Sequence, residues 1–367
     1  MSSRGRALAE LVRVFGWLGA TAFGGPSAHV ALMEHEVVGK RGWLTRAELL
    51  ELFAAANLIP GPSSTELAMH VGRKRAGILG LIVAGLAFIV PASLIVGALA
   101  WAYVRWGAVP AVTGALWGMK PVVVAVVGHA LWGLGKTALK DALRVAVAIA
   151  AVAALLVPVD PLLVLVGAGA LVAARHLRSA TSFAPVLALA PASADAPTLW
   201  GLGLAFLKIG ALLFGSGYVL FGFLQHELVE QRHWLTEPQL VDAIAIGQVT
   251  PGPLFTTATF IGYLLGGVVG AVVATVAIFT PAFVFVGISG PIVAAIRRSP
   301  VASSFLDGVV VASLALMAVV TGQLARDALI DPGAIAIGAV AALVLIRYRG
   351  AASWLILVGA ALGIATH

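Results

Sequence analysis

Apolar runs separated by short polar loops make up almost the whole chain, and most of the charged residues lie in those loops. Many runs approach the roughly 20 residues that a helix needs to cross a hydrocarbon core of about 30 Å. They lie near residues 8–32, 48–71, 76–104, 109–134, 142–158 and 161–176, and again near 199–224, 239–264, 267–294, 302–324, 332–346 and 350–366. The pattern predicts an all-α polytopic membrane protein with six hydrophobic segments in each half.

The sequence also contains a long internal repeat. The stretch from Phe23 to Pro62 returns 191 residues later as Phe214 to Pro253, with fourteen of the forty paired positions identical. An offset of 190 residues then pairs Gly72 with Gly262, Pro91 with Pro281, Gly118 with Gly308 and Asp141 with Asp331. Two copies of one unit, each interrupted by Gly and Pro at matching places, are typical of secondary transporters. We therefore predict a first repeat at 1–178, a linker at 179–198 and a second repeat at 199–367.

Positive charge alternates between equivalent loops of the two halves. After the second segment, the Arg-Lys-Arg cluster at 73–75 has no charged counterpart between residues 257 and 289. After the third segment the balance reverses, because Arg105 alone corresponds to two arginines at 297–298. Cytoplasmic loops are enriched in Lys and Arg, so the alternation predicts two repeats of inverted topology.

An inverted second repeat requires an odd number of membrane crossings between equivalent points, whereas six segments per half is an even number. Either one segment must be re-entrant, or the linker must contribute a crossing. The short final segments of each half and an apolar patch at 183–190 are the candidates. The sequence leaves the choice among them open.

The composition argues against several other classes of protein. With 11% of residues charged and 60% hydrophobic, a soluble fold would lack the polar surface to cover itself. The net charge of +7 lies in short loops, where it acts as a topology determinant, and does not indicate nucleic-acid binding. The sequence has no cysteine and no Walker A, nucleophile-elbow or HExxH motif. We therefore expect neither an enzyme nor an ATP-driven pump, and we expect no cofactor or metal.

The first motif interrupts an apolar run in each half, as Phe23-Gly24-Gly25-Pro26 and as Phe214-Gly215-Ser216-Gly217. Gly and Pro free backbone N–H and C=O groups, which hydrocarbon tolerates only inside protein or beside a wet cavity. A half-helix that begins at Pro26 would point the positive end of its dipole at an anion. The alternative is a kink that only assists helix packing. The candidate substrate contacts are Gly24, Gly25, Pro26, Gly215, Ser216 and Gly217.

Pro-Gly-Pro forms the second motif, at 60–62 and at 251–253. It cannot lie inside a regular helix, because proline removes a hydrogen bond and clashes with the preceding turn. The following helix begins with hydroxyl residues, which together with free N–H groups suit a tetrahedral oxyanion that must be bound and then released. In the alternative reading these hydroxyls only cap the helix. The candidate contacts are Asn57, Gly61, Ser63, Ser64, Thr65, Gln248, Gly252, Thr256 and Thr257.

Few ionisable residues lie inside the apolar segments, and such residues are functional candidates by default. Lys120 is the most isolated cation and could offset the charge of a dianion, and Lys208 is a second candidate. Either lysine could instead extend to the membrane interface. The residues that could carry a proton are Glu51, Glu66, His70 and Asp242. For the two acids that precede Pro-Gly-Pro, the alternative is a helix-capping role at the interface.

Together these motifs resemble the chromate ion transporter family in its long, two-domain form. The resemblance covers nearly the whole chain, and it rests on Phe-Gly-Gly-Pro at 23–26, the stretch from His29 to Glu36, Trp-Leu-Thr at 43–45, both Pro-Gly-Pro motifs and Phe-Gly-Ser-Gly-Tyr at 214–218. It implies a multi-pass protein of the cell inner membrane that exports chromate and gives chromate resistance, with sulfate as a competing analogue. It also implies that the paired Gly-Pro and Pro-Gly-Pro positions lie on the substrate path.

The charge of the substrate favours a direction of transport. A dianion that leaves a cell with a negative interior gains about 2.3 kcal/mol per charge per 100 mV, so efflux can run as uniport or as proton exchange in an antiporter. A sulfate or other oxyanion importer and an anion channel stay open as alternatives. The expected partners are a chromate-like or sulfate-like oxyanion and the lipid bilayer, with a homodimer compatible with the sequence.

Overall fold

The computed structural model describes residues 3–23, 25–107, 109–157, 159–174, 196–214, 217–348 and 352–366. The regular elements of this part of the chain are helical, as predicted. The first half contains α1 (Ser3–Thr21), α2 (Gly25–Met33), α3 (Arg46–Ala56), α4 (Ser63–Trp106), α5 (Pro110–Ala138), α6 (Ala142–Leu155) and α7 (Pro161–Ala173). The second half contains α8 (Leu199–Leu212), α9 (Leu220–Leu224), α10 (Glu237–Val249), α11 (Thr257–Arg298), α12 (Pro300–Ala328), α13 (Pro332–Arg347) and α14 (Ala352–Thr366).

The same order of helices occurs in both halves, and each half also has one π-helix at the equivalent position, Glu34–Lys40 and Gln225–Gln231. Within the described residues, four stretches are long and apolar enough to cross a membrane: Ser63–Trp106, Pro110–Ala138, Leu254–Gly290 and Pro300–Ala328. The predicted apolar patch at 183–190 and most of the predicted linker lie outside the described residues.

Both duplicated motifs interrupt helices in both halves, as predicted. α1 ends at Thr21 and the next helix begins at Gly25, whereas α8 ends just before the second copy of the motif. Pro-Gly-Pro separates α3 from α4, and it separates α10 from a 3-10 helix at 254–256 that leads into α11. Backbone φ is 142° at Gly61 and 90° at Gly252, values that residues with a side chain rarely adopt.

A tight turn divides α4 into a short arm (63–75) and a long arm (78–106). The backbone leaves the helical conformation at Gly77, where φ is 68°. Gly72 and Gly80 lie so close across this turn that a Cβ added to Gly72 would be 2.2 Å from the Gly80 carbonyl oxygen. The two arms are therefore antiparallel, whereas the sequence indicated only two successive segments.

α11 repeats this turn and is divided into a short arm (257–265) and a long arm (268–298). Its φ at Gly267 is 59°, and Gly262 packs against Gly270 as the equivalent glycines do in α4. Each half thus has a helical hairpin at the same place in its repeat.

The first two apolar segments of the first half return to the side from which they start. Lys74, at the end of the short arm of α4, forms a salt bridge of 2.6 Å with Glu48 at the start of α3. Arg75 pairs with Glu10 of α1, and its guanidinium lies 4.4 Å from the ring centroid of Trp43. The breaks are therefore the tips of two helical hairpins whose outer ends lie together.

This geometry departs from the sequence-based expectation about re-entrant segments. That expectation considered only the short final segments of each half and the patch at 183–190. α6 and α7 do pack against each other, but the first two segments also turn back, because Gly and Pro reverse the chain inside what looks like one continuous apolar run.

Equivalent tryptophans lie at opposite ends of the long arm of α4. We call one end the Trp43 face, where Trp43 shares a surface depression with Arg13, Arg41 and Arg75. The long arm starts from this face immediately after Arg75. It ends near Gly107, which lines a cavity with Trp234 at the other end, the Trp234 face.

The last helix of each half packs against a long helix of the other half. A Cβ added to Gly118 of α5 would be 1.9 Å from the carbonyl oxygen of Gly359 in α14. In the equivalent contact, a Cβ on Gly308 of α12 would be 2.3 Å from the carbonyl oxygen of Ala168 in α7. Glycine permits this close approach of backbones, a common way of packing helices in membranes. The two halves therefore complete each other's helix bundle.

We expect the substitution Gly118→Ala to lower the melting temperature of the purified protein in detergent, because the new Cβ must push α14 away from α5. Overpacking of this kind costs about 1–3 kcal/mol. Gly128→Ala on the same helix is the matched control, since a Cβ at Gly128 would meet no atom within 4 Å. Equal melting temperatures for the two variants would contradict the close contact between α5 and α14.

Candidate functional site

The duplicated breaks are joined by two reciprocal hydrogen bonds between the halves. The Gly61 N–H of the first Pro-Gly-Pro loop donates to the Leu213 carbonyl oxygen, at 2.8 Å, directly before the second copy of the first motif. The Gly252 N–H donates to the Ala22 carbonyl oxygen, at 2.9 Å, directly before the first copy. Each Pro-Gly-Pro loop thus contacts the Gly-containing break of the other half.

The long arms of α4 and α11 bring these loops to the middle of the helix bundle. A Cβ on Gly252 would be 2.4 Å from Cβ of Ala92, and a Cβ on Gly61 would be 3.4 Å from Cβ of Ala282. Ala92 and Ala282 are equivalent residues, each lying near the middle of its long arm. The structure therefore brings all four predicted breaks together at about half the length of these helices.

Several helices begin at this meeting point. α2 starts at Gly25, the short arm of α4 starts at Ser63, and the short 3-10 helix before α11 starts at Leu254. The first N–H groups of a helix have no partner within the helix and carry partial positive charge. Such ends favour an anion in their vicinity.

The polar residues that follow the first Pro-Gly-Pro are buried in the protein. Ser64 contacts His29, with 3.2 Å between Oγ and Nδ1, and the other ring nitrogen of His29 lies 3.0 Å from the Ala22 carbonyl oxygen. His29 links the two breaks of its half, yet it was not among the predicted site residues. Its position three residues after Pro26, in an otherwise apolar stretch, was the available signal.

Glu66 and its neighbours carry buried polar atoms that point to a ligand. Both carboxylate oxygens of Glu66, Oγ1 of Thr65 and Nε2 of His70 have no hydrogen-bond partner among the described residues. The Glu66 carboxyl lies against the break, because a Cβ on Gly61 would be 2.3 Å from Oε1. Buried polar atoms without partners are costly, so these groups are available to a bound solute or to water.

The second half has a different polar lining. The hydroxyl of Thr256 donates to the Pro253 carbonyl oxygen, and that of Thr257 donates to the Leu254 carbonyl oxygen, both at 2.8 Å. These hydroxyl protons are engaged by backbone carbonyl groups, and Thr256 at the N-cap of α11 makes no side-chain capping hydrogen bond. Nε2 of Gln248, in contrast, is buried without a hydrogen-bond partner among the described residues.

Lys120 and Asp242 meet at a cavity of about 670 Å³ that opens at the Trp234 face. Nζ of Lys120 lies 2.8 Å from Oδ1 of Asp242, and the Tyr103 hydroxyl donates to Oδ2 at 2.8 Å. Trp117, another cavity residue, donates from Nε1 to Asp331 at 2.9 Å. Sequence reasoning proposed Lys120 and Asp242 separately but missed Tyr103, the aromatic partner of Asp242, although a tyrosine inside an apolar segment was an available signal.

Other predicted residues are placed less favourably for a buried site. The side chain of Asn57 is exposed and donates to the Phe53 carbonyl oxygen, and Glu51 is also exposed on α3. Lys208 is not a free cation, because it pairs with Glu227 at 2.6 Å. Gly24, Gly215 and Ser216 lie outside the described residues, and Gly25, Pro26 and Gly217 lie in the first turns after the breaks.

The repeated His-Glu pairs, His35-Glu36 and His226-Glu227, lie in a block that holds the outer ends of the hairpins in place. Buried Glu36 pairs with Lys40 and Arg41, and the hydrogen bond from Lys40 is the main reason why the pKa of Glu36 is lowered. The equivalent Glu227 pairs with Arg232 at 2.9 Å. Near the Trp43 face, Lys74 and then the Thr45 cap lower the pKa of Glu48 to about 2. These contacts are structural.

Fold and site together define a multi-pass α-helical membrane protein in which duplicated helix breaks meet inside the protein. The chromate transporter family model matches residues 9–173 and 200–364, and the chain belongs to this family. The match covers both copies of the repeat. It confirms the resemblance that the motifs indicated.

The relatives are named as transport proteins. The chain is 32% identical to the chromate transport protein of Cupriavidus metallidurans, over 97% of this chain and 92% of that protein. It is 32% identical to a probable chromate transport protein of Synechococcus elongatus, over 91% and 89% of the two chains. It is 27% identical to an uncharacterized transporter of Methanocaldococcus jannaschii, over 83% and 81%. No solved structure matches the chain.

Proposed function

We propose that this protein is a secondary transporter that exports chromate across the cell inner membrane and thereby gives chromate resistance. The observation that carries the proposal is the pair of reciprocal hydrogen bonds, from Gly61 to Leu213 and from Gly252 to Ala22. They join four unwound segments in the interior, and non-helical backbone at membrane depth is tolerated where it is buried in protein or lines a binding cavity. The names of the relatives support chromate as the substrate.

We further propose that the two repeats have inverted topology in the membrane. Trp43 and Trp234 are equivalent residues at opposite ends of one long helix arm. Arg73 supports the same arrangement, because it donates to the Val286 carbonyl oxygen at 2.6 Å, so the long arm of α11 runs back toward the Trp43 face. The basic Trp43 face would then be cytoplasmic by the positive-inside rule.

The substrate site in this proposal is the meeting point of the four breaks. Helix starts and backbone N–H groups supply partial positive charge at this point, so that a dianion is bound there and also released. The proposed contacts are the predicted ones at Gly25, Pro26, Gly61, Ser63, Ser64, Thr65, Gly217, Gln248, Gly252, Thr256 and Thr257, with Gly24, Gly215 and Ser216 of the same motifs. Glu66, His70 and Asp242 are the proposed proton-handling residues.

A flux assay in sealed vesicles tests the function. With purified protein in proteoliposomes, we expect chromate to leave faster when the potential is negative inside, since each net negative charge that leaves gains about 2.3 kcal/mol per 100 mV. Sulfate should compete with chromate. Thr65→Ala is expected to reduce the flux by about tenfold, the loss of one hydrogen bond of about 1.4 kcal/mol to a charged ligand.

Two other functions predict different results in this assay. An importer would take up sulfate or another oxyanion against its gradient when a proton gradient is imposed. An anion channel would carry currents that do not saturate with substrate concentration. Vesicles that contain the inserted protein and move no chromate would refute the proposed function.

A further inference from the structure

An ion pair between the two halves lines the cavity of about 670 Å³. Lys120 belongs to α5 of the first half, and Asp242 belongs to α10 of the second, with 2.8 Å between Nζ and Oδ1. The side chain of Lys120 is 22% exposed and that of Asp242 is 8% exposed. A solute in the cavity can therefore reach the ammonium group, whereas the carboxylate is almost enclosed.

The geometry of this pair allows Lys120 to exchange Asp242 for another anionic partner. Oδ1 of Asp242 has no hydrogen-bond donor in line with it among the described residues, so its contact with Lys120 is electrostatic and not a directed hydrogen bond. The other oxygen, Oδ2, accepts a hydrogen bond from Tyr103 and would hold the carboxyl group in place if Lys120 moved.

Few other charged residues lie near Lys120 and Asp242. Lys120 is the one cation among the described residues that line the cavity, and the other carboxylate there is Asp327 of α12, which is hydrogen-bonded to Glu237 at the start of α10. The acids of the neighbouring π-helix have their own partners, because Glu227 pairs with Lys208 and Arg232, and Glu230 lies 3.1 Å from a histidine nitrogen. α14, which also packs against α10, has no ionisable side chain.

We propose that Lys120 and Asp242 form a combined site for an oxyanion and a proton. A tetrahedral dianion replaces Asp242 as the partner of Lys120, and one proton from water binds Asp242 at Oδ1. No covalent bond to the dianion forms or breaks. This inference rests on the proposed transport function, and it adds the coupling of oxyanion transport to a proton.

Electrostatics explain why the proton and the dianion bind together. A dianion beside Lys120 lies within a few ångströms of the Asp242 carboxylate, and like charges in a site of low dielectric repel strongly. A proton on Asp242 removes that repulsion, and the neutral acid can donate a hydrogen bond to the oxyanion. The proton therefore moves with the dianion in the same direction, and one net negative charge crosses for each chromate.

The potential at which net chromate flux is zero measures this coupling in proteoliposomes. For the wild-type protein we expect this zero-flux potential to shift when a pH gradient is imposed. The same shift is expected when sulfate replaces chromate as the transported ion, and sulfate stays a dianion near neutral pH. For Asp242→Asn we expect the zero-flux potential to be independent of the pH gradient, because the amide takes up no proton. Asp327→Asn, at the other carboxylate that lines the cavity, is the matched control and should keep the shift, since it leaves Lys120, Tyr103 and Asp242 intact.

Two further measurements keep the inference testable if Asp242→Asn does not fold. Lys120→Met should raise KM for chromate by about tenfold or more, the loss of one charge-assisted contact, whereas Lys120→Arg should restore it in part. Purified wild-type protein should take up about one proton per sulfate bound in weakly buffered solution. Sulfate binding without proton uptake overturns the inference.

The outcomes separate the two proposals. Wild-type vesicles that carry no chromate refute the proposed function, and the coupling inference with it. Wild-type vesicles that carry chromate at a zero-flux potential independent of the pH gradient refute only the coupling inference.

Discussion

A thiol reagent that cannot cross membranes is expected to label His233→Cys, but not Gly42→Cys, in right-side-out membrane vesicles. The two positions are equivalent in the repeat, since 233 − 42 = 191, and both are exposed. They also share a left-handed backbone, with φ of 58° at Gly42 and 52° at His233, so the two variants are closely matched. Each lies directly before the tryptophan that defines its face.

The expected difference is all or none, because a charged reagent reaches only the face on its own side of the bilayer. The chain contains no cysteine, so each variant carries a single thiol in the otherwise native protein. Gly42→Cys should become labelled after the vesicles are made permeable, which shows that its thiol is reactive. Labelling of both variants from the same side, in sealed vesicles, would contradict the inverted topology.

The sequence alone was sufficient to predict the helix breaks, and the reason is local chemistry. Pro-Gly-Pro at 60–62 cannot continue a helix in any context, so the end of α3 at Ala56 and the start of α4 at Ser63 follow from the residue types. The repeat of the motif 191 residues later then gave the second break without further information. The capping boxes at Thr45 and Thr236 follow from local sequence in the same way.

Contacts between the halves could not be predicted in this way. Hydropathy records how apolar a segment is and not whether it turns back, so the hairpins at the first two segments looked like single crossings. Equivalent sequence positions also differ in environment, because Glu51 is exposed whereas its counterpart Asp242 is buried beside Lys120. The two acids occupy equivalent positions in the sequence repeat. In the fold, however, Asp242 forms an ion pair with a lysine of the other half.

Substituting alanine for Gly252 is expected to reduce chromate flux by about a hundredfold while the protein still inserts in the membrane. The residue has φ of 90°, and its Cβ would lie 2.4 Å from Cβ of Ala92 and 3.0 Å from the Gly19 carbonyl oxygen. The loop must therefore move away from the first half, and its hydrogen bond to the Ala22 carbonyl oxygen is lost. Because this loop forms part of the proposed site, a shift of about 1 Å is enough to reduce transport by about a hundredfold.

The matched control is Gly267→Ala, in the turn between the arms of α11. Its φ of 59° is also positive, and with ψ of −150° it lies in a region that essentially only glycine adopts, so alanine there carries a backbone strain of about 1–3 kcal/mol. A Cβ at Gly267 meets no atom within 4 Å, however, and the position lies at the end of the short arm of α11 that is remote from Pro-Gly-Pro. We expect this variant to lose some thermal stability and to keep most of its flux.

Comparing these variants separates backbone strain from displacement of the site. If Gly252→Ala and Gly267→Ala lose flux equally, general destabilisation explains both, and the contact between the breaks has no special role. Gly61→Ala extends the test to the other loop, where the new Cβ would meet the Glu66 carboxyl group at 2.3 Å. A side-chain carboxyl can move aside more easily than the backbone of α1, so Gly61→Ala should reduce flux less than Gly252→Ala. The order of flux, with Gly267→Ala highest and Gly252→Ala lowest, therefore follows from what each new methyl group meets.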